Sequence, residues 1–197
     1  MENLKYWDTE LFLFLNGKHS EFLDPVMIFL SNRWVWIPVY IFLAVLVVNR
    51  YQKRAWLIIP LALVCVTIAD QTSSALIKNI VQRPRPCYEE KLASQIHLIG
   101  DGCGGKYGFI SSHASNTFML ATFISLLMAK RRRIFVPILF TWAFLVSYSR
   151  IYLGVHYPGD VISGMILGSF IGWLGFRLYI YLSKKIWKNV ETLHPTS

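Results

Sequence analysis

The sequence predicts an all-α fold, a polytopic membrane helical bundle, and three observations favour it. The 197-residue chain is 54% hydrophobic and only 16% charged, and its mean hydropathy is +0.42. Soluble domains carry about 25% charged residues. The apolar residues fall into long runs, and the Lys and Arg residues behind the net charge of +9 cluster at the ends of those runs. A basic chain can also bind nucleic acid, but this placement favours a membrane bilayer, so we expect no nucleic-acid partner.

Five apolar runs predict five membrane-spanning helices. They cover residues 34–49, 55–77, 114–129, 134–148 and 160–182. A spanning helix needs about 17–25 residues, so the third and fourth runs must recruit flanking residues. The chain has no internal repeat and its length suits one domain. We therefore expect residues 1–197 to form a single integral-membrane domain, and the sequence carries no signal for an oligomeric state.

The N-terminal segment 1–32 precedes these runs and has two interpretations. Its apolar stretches WDTELFLFLN and FLDPVMIFLS are divided by the polar GKHSE. Short helices of this kind can lie at the membrane interface, and we expect that arrangement here. The alternative is that residues 6–31 form one broken sixth span.

Positive charges at the ends of the runs predict the orientation, because cytoplasmic loops are enriched in Lys and Arg. With five spans, three basic clusters fall on one face: Arg50, Lys53 and Arg54; Lys130, Arg131, Arg132 and Arg133; Lys184, Lys185 and Lys188. That face is expected to be cytoplasmic. The segment 78–113, which includes the long connection 83–111, and the segment 149–159 then face the periplasm or the cell exterior.

Two of the three cysteines lie in this external loop. Cys65 falls inside the second run, where a cysteine usually packs as an apolar residue. Cys87 and Cys103 share the connection 83–111, and an oxidising compartment permits a disulfide between them. The alternatives are two free thiols or, less favoured, a metal pair, because no second Cys or His stands at short ligand spacing.

Three polar stretches stand at run ends on the outer face. They are KNIVQRPRP (78–86), FISSHASN (109–116) and SRIYLGVHYPGD (149–160). Their charged and hydroxyl side chains include Lys78, Arg85, Ser111, Ser112, His113, Arg150, His156 and Asp160. Each alone has an ordinary explanation, such as snorkelling or helix capping. Together, cations and a helix N-terminus predict a site for a multiply charged oxyanion, most naturally phosphate.

The two histidines and Asp160 add a chemical function to that anion site. One histidine can act as nucleophile while the other transfers protons. Asp160 follows His156 by four residues. This spacing can place the carboxylate against one ring nitrogen of His156 and raise the nucleophilicity of the other.

These stretches resemble the three signatures of the type 2 phosphatidic acid phosphatase family, which includes membrane lipid phosphatases and soluble vanadium haloperoxidases. K-x6-RP (78–86) and SR-x5-H-x3-D (149–160) match completely. The second signature differs, because Ile-Ser-Ser-His at 110–113 replaces the usual Pro-Ser-Gly-His. The spans make a soluble haloperoxidase a weak alternative.

The resemblance implies a role for each residue. His156 would attack phosphorus and form a phosphohistidine, Asp160 would orient it, and His113 would protonate the leaving oxygen and then activate water. The phosphate oxygens would be held by Lys78, Arg85, Ser111, Ser112 and Arg150. The family needs no metal or other cofactor, so none is expected.

The resemblance further implies a lipid phosphate or diphosphate as substrate and a bacterial inner membrane as location. Similarity to short bacterial enzymes makes undecaprenyl diphosphate the first choice. The alternatives are a lipid A or phosphatidylglycerophosphate phosphatase, a lipid phosphotransferase, and a non-catalytic membrane binding protein. Asp70, inside the second run, lies outside the signatures and is expected to hydrogen-bond a Ser or Thr of a neighbouring helix.

Overall fold

The computed structural model describes residues 2–100, 102–128 and 133–193, with side chains to residue 187. Within these ranges the chain forms eight α-helices and no β-strand. The helices are α1 (Glu2–Asn16), α2 (Leu23–Ser31), α3 (Ile37–Tyr51), α4 (Ala55–Gln71), α5 (Lys78–Val81), α6 (Ser112–Met128), α7 (Phe135–Tyr152) and α8 (Pro158–Leu193). The predicted all-α class is confirmed.

The N-terminal segment contains two helices, α1 and α2, separated at the polar GKHSE stretch. Asn16 at the end of α1 is fully buried, and its side-chain amide donates to the carbonyl oxygens of Tyr152 (2.7 Å) and His97 (3.0 Å). In α2, Asp24 accepts a hydrogen bond from the Tyr152 hydroxyl at 2.6 Å, which lowers the pKa of this carboxyl. Both helices are thus attached to α7, while their depth in the membrane stays a prediction.

The second run forms a longer helical segment than its apolar residues predict. A π-helical segment, Thr72–Ile77, links α4 to α5, so the helical path continues to Val81. It ends where Gln82 adopts a left-handed conformation, with φ 48°. Interruptions of this kind are frequent at functional sites, and this one precedes Lys78.

A stripe of glycines brings α6 and α8 into close contact. A Cβ atom at Gly164, Gly168 or Gly172 would lie within 2.5 Å of a backbone oxygen of α6 or of Ser111, the residue before it. Small residues at four-residue spacing let helix backbones approach in a membrane. The contact joins the N-terminal ends of both helices, because the Ser111 amide donates to the Asp160 carbonyl at 3.0 Å.

Three helical segments are long and apolar enough to cross a membrane: Arg33–Val81, which contains α3 and α4, Phe135–Tyr152 and Pro158–Trp187. The number of spans stays a prediction. The basic ends of the first and fifth runs lie together, since the Arg54 guanidinium lies 5.5 Å from the Trp187 ring. Part of the predicted basic clusters lies outside the described residues: Lys130, Arg131, Arg132 and the side chain of Lys188. Residue 129, the last of the third run, also lies outside them.

The connection 83–111 is closed by local contacts. Cys87 and Cys103 form a disulfide with Cα atoms 6.0 Å apart, and Cys65 is a buried free thiol. Backbone hydrogen bonds join Arg85 to Lys106 (3.0 Å) and Gly108 to Arg83 (2.9 Å). These contacts keep residues 83–85 beside the segment that enters α6.

Candidate active site

A cavity of about 270 Å³ lies where the ends of α5 and α7 meet the beginnings of α6 and α8. Six of the eight predicted phosphate-site residues line it: Lys78, Arg85, Ser112, His113, Arg150 and His156. They come from five separate parts of the chain, so the antiparallel arrangement of helices, rather than local sequence, brings them together. Lys78, Arg85 and Arg150 are called the signature cations below.

His156 is paired with Asp160 through one ring nitrogen. Nδ1 of His156 lies 3.4 Å from Oδ2 of Asp160, and the two side chains are 2% and 0% exposed. The amide of Tyr157 donates to the same oxygen at 3.1 Å. This arrangement follows from the start of α8 at Pro158, which places Asp160 in the first turn beneath the 153–157 loop.

The protonation state of His156 suits a nucleophile. Its pKa is held well below the usual range, first because burial penalises the imidazolium and then because the signature cations repel it. A neutral imidazole with Nδ1 directed to a carboxylate has its lone pair on Nε2. The nitrogen available to react is therefore Nε2, on a ring that lines the cavity.

The signature cations differ in their protein partners. Lys78 donates to the Ser112 hydroxyl at 3.2 Å, and Nε of Arg85 donates to the Tyr107 carbonyl at 3.3 Å. Arg150 donates through Nη1 to the hydroxyl of Ser31, while its Nε is buried and has no partner among the described residues. This leaves donor capacity for an anion in the cavity.

Ser31, at the end of α2, supports two site residues and carries no sequence signature. Its hydroxyl accepts from Arg150, and its carbonyl lies 3.2 Å from Nε2 of His113. A serine at the end of a short apolar helix gives no indication of this role. Only the packing of α2 against α7 reveals it.

Ser111 differs from its predicted role as a phosphate ligand. It is fully buried, does not line the cavity, and its hydroxyl has no partner within the described ranges. Its backbone amide instead joins the start of α6 to α8, as described above. The Ser-Ser pair thus divides into one residue that faces the cavity, Ser112, and one that faces the helix contact.

Two further residues, Gly108 and Asp70, lie close to the predicted site residues. Gly108 lies so close to the His156–Asp160 pair that a Cβ atom there would stand 3.0 Å from Oδ2 of Asp160 and 3.5 Å from Nδ1 of His156. Asp70 lines the cavity and accepts from the Asn116 amide of α6 at 2.9 Å. Asp70 thus makes the expected interhelical hydrogen bond, but to Asn116 rather than to Ser or Thr.

A second cavity of about 470 Å³ adjoins the first. The two share Arg33, Arg85, His113 and Arg150. The glycines of the disulfide-closed loop, among them Gly100, Gly102 and Gly104, form part of its wall. In the part of the chain that the structure describes, no group of three His, Cys, Asp or Glu side chains is placed to hold a metal ion.

Known proteins resemble this chain over nearly its whole length. The model of the PAP2 superfamily matches residues 55–184. Lipid A 4'-phosphatase of Bacteroides thetaiotaomicron is 36% identical, over 99% of this chain and 85% of that protein. The protein of the same name from Porphyromonas gingivalis is also 36% identical, over 100% of this chain and 83% of its own length.

The chain is also similar to a more distant relative named for another substrate and to a solved structure. Undecaprenyl-diphosphatase of Sulfolobus acidocaldarius is 28% identical, over 87% of this chain and 78% of that protein. The crystal structure of Aquifex aeolicus LpxE superposes with a TM-score of 0.64 at 25% identity and covers 86% of this chain and 94% of its own.

Proposed function

Because this chain belongs to the PAP2 superfamily, we propose that it is a membrane lipid phosphatase that removes the 4'-phosphate of lipid A through a phosphohistidine at His156. The observation that carries the chemistry is the buried pair of His156 and Asp160, which presents a neutral imidazole to a cavity lined by the signature cations. In such a cavity the cations can bind a phosphate monoester while the neutral histidine attacks its phosphorus.

In the first step, the Nε2 lone pair of His156 attacks phosphorus and the bond from phosphorus to the lipid oxygen breaks. His113, on the same cavity wall, acts here as an imidazolium. It gives its proton to that oxygen and becomes neutral, so the alcohol leaves neutral. The signature cations neutralise the charge that builds on the phosphoryl oxygens. Each such preorganised donor contributes several kcal/mol, roughly 3 to 4, to lowering the barrier.

In the second step, His113 accepts a proton from water, and the resulting hydroxide equivalent attacks the phosphohistidine. The P–N bond breaks, inorganic phosphate leaves, and His156 returns to its neutral form. Asp160 stabilises the positive charge that the His156 ring carries while it is bonded to phosphorus. The same residues therefore serve both steps, and only His113 changes its role, from acid in the first step to base in the second.

The proposed substrate rests on the sequence identity to relatives named for each candidate lipid. Undecaprenyl diphosphate is the first choice from the sequence, but the relatives with that name are 28% identical, against 36% for the lipid A 4'-phosphatases. The stated alternative, a lipid A phosphatase, is therefore the better supported proposal. The larger second cavity also suits it, because a sugar headgroup needs room beside the phosphate site.

We further propose that residues 1–197 act as one integral-membrane domain in a bacterial inner membrane, with the cavity at the periplasmic face. The Arg54–Trp187 contact groups basic ends of two runs. The candidate active site lies at the other ends of these helices, beside the disulfide-closed loop. Both features agree with the positive-inside rule and with an oxidising compartment for the loop.

The test uses the purified protein in detergent with lipid A that carries both the 1- and the 4'-phosphate. Mass spectrometry of the product is expected to show loss of the 4'-phosphate with the 1-phosphate retained, and EDTA is expected to leave the rate unchanged. Undecaprenyl diphosphate and phosphatidylglycerophosphate run in parallel. Faster release from either would overturn the lipid A assignment, and phosphate that appears on a second lipid instead of in water would indicate a phosphotransferase.

A further inference from the structure

We propose that Asp8, on α1, and Arg83 are positioning residues that hold the Asp160 carboxylate against His156. The inference rests on the proposed role of His156 as nucleophile. Asp8 lies outside the three signatures and outside the matched residues 55–184, and Arg83 stands at an unspecified position of the first signature.

A continuous chain of polar contacts joins α1 to the nucleophile. Nη1 of Arg83 lies 2.7 Å from Oδ2 of Asp8 and 3.0 Å from Oδ1 of Asp160. The other oxygen of Asp160 faces Nδ1 of His156. One guanidinium nitrogen thus bridges two carboxylates, one on the surface helix and one behind the reacting ring.

The surroundings of Asp160 make this bridge consequential. The side chain is fully buried, and a buried charge is costly unless it is paired and hydrogen-bonded. Its Oδ2 is engaged by His156 and the Tyr157 amide, so Arg83 provides the contact for Oδ1. Removing that contact would leave the carboxylate free to rotate away from Nδ1.

Arg83 is itself held on two sides. Its guanidinium lies over the Tyr157 ring, with Cζ 4.0 Å from the ring centroid, and Asp8 supplies the opposite charge. A guanidinium fixed by an aromatic face and a carboxylate loses little freedom when it binds a second carboxylate. Asp8 therefore acts by fixing Arg83, not by contact with the substrate.

Asp8 also anchors the backbone that carries the catalytic pair. Its Oδ1 accepts from the amide of Gly159 at 2.7 Å, in the first turn of α8. A carboxylate at a helix N-terminus satisfies a free amide and suits the helix dipole. A Cβ at residue 159 would lie 2.8 Å from Oδ2 of Asp8, so a larger residue there would displace this carboxylate.

The test is Asp8→Asn in the full-length protein, with Glu10→Gln as the matched control. Asn keeps an oxygen to accept from Gly159 but removes the charge that faces Arg83. Glu10 is exposed on the same helix, so its variant removes one negative charge without touching the bridge. We expect kcat to fall about tenfold in Asp8→Asn with KM within about twofold, as for outer-shell carboxylates, and no change in Glu10→Gln.

Two further variants separate positioning from general damage. Asp8→Glu restores the charge and is expected to recover part of kcat. The double variant Asp8→Asn with Arg83→Gln is expected to be no slower than Arg83→Gln alone, because both changes break one chain of contacts. Unchanged kcat in Asp8→Asn, a rise in KM alone, or multiplied losses in the double variant would each overturn the proposal.

A spectroscopic measurement keeps this inference distinct from the proposed function. In protein labelled with 15N at histidine, the His156 ring signals are assigned by their loss in His156→Gln. Asp8→Asn is expected to shift the Nδ1 and Nε2 signals of His156, whereas Glu10→Gln leaves them unchanged. Unshifted signals would overturn the positioning role whichever lipid the enzyme accepts, while failure of lipid A turnover would touch the proposed function alone.

Discussion

The signature region and the N-terminal helices contribute to the site in different ways. All the side chains proposed to react with phosphate lie between residues 78 and 160, and they line the cavity or pair with a residue that does. α1 and α2 contribute none of these groups. They supply instead the supports, Asp8 for Arg83 and Ser31 for Arg150 and His113.

The difference shows why the reacting residues can be predicted from the sequence and the supporting residues cannot. A reacting group must be a particular residue at a particular distance from its partners along the helix ends, which produces a motif. A supporting group needs only to place one oxygen near one donor. Its contacts also join distant parts of the chain, 82 positions apart for Ser31 and His113 and 119 for Ser31 and Arg150, so no local pattern records them.

The largest effect is expected at the centre of the signature region. His156→Gln removes the nucleophile while keeping a side chain of similar size and polarity, so kcat should fall by about four orders of magnitude. Phosphate release is the measurement, with thermal unfolding as the control for folding. A folded variant with turnover near that of the wild type would show that His156 is not the nucleophile. The signature region would then not supply the reacting group.

A smaller loss is expected at a signature cation. Arg150→Ala removes a donor aimed at the phosphoryl group and should lower kcat/KM about a hundredfold. Arg150→Lys keeps the charge but not the fork that bonds both Ser31 and an anion, so it should recover only part of the rate. Arg177→Ala, on the exposed surface of α8, is the control and should retain full activity.

A support residue should matter less than the group it supports. Ser31→Ala leaves the carbonyl that faces His113 but removes the hydroxyl that accepts from Arg150, so kcat/KM should fall about tenfold. In an Arg150→Ala background the same change should have little further effect. An equal loss in both backgrounds would mean that Ser31 acts through something other than Arg150.

The smallest effect on turnover is expected at the loop disulfide. Cys87→Ser with Cys103→Ser should lower kcat/KM by about twofold, because backbone hydrogen bonds still hold Arg85 beside Lys106. The unfolding free energy should fall more clearly, by about 3 kcal/mol in the chain-entropy model. A loss of turnover larger than that of Ser31→Ala would show that the loop, and not α2, is the main support.

Much of the helical layout follows from the sequence, because apolar runs and charged ends constrain where helices can lie in a bilayer. The second run, predicted to end at residue 77, stays helical to Val81, and its last part, Thr72–Ile77, is a π-helical segment that hydropathy does not record. The glycines of α8 at positions 164, 168 and 172 are the signal that could have indicated how α6 and α8 pack.

The sequence predicts the site residues whose type is restricted by the chemistry. It does not predict which way a side chain faces, because helix packing decides that. The signatures identified the residues around the cavity, but Ser111 turned inward to the helix contact while Ser112 faced the cavity. Neighbouring serines are equivalent in a sequence, and only the rotation of the first turn of α6 separates them. Asp8 and Arg83 likewise depend on where α1 packs.

The central claim, a phosphohistidine at His156, is tested most directly by trapping the intermediate. The protein is mixed with its lipid substrate, quenched in alkali to preserve an acid-labile P–N bond, digested, and examined by mass spectrometry. We expect about 80 Da, one phosphoryl group, added on the peptide that contains His156, and no such addition in His156→Gln. Turnover without any modified His156, or modification at another residue, would contradict it.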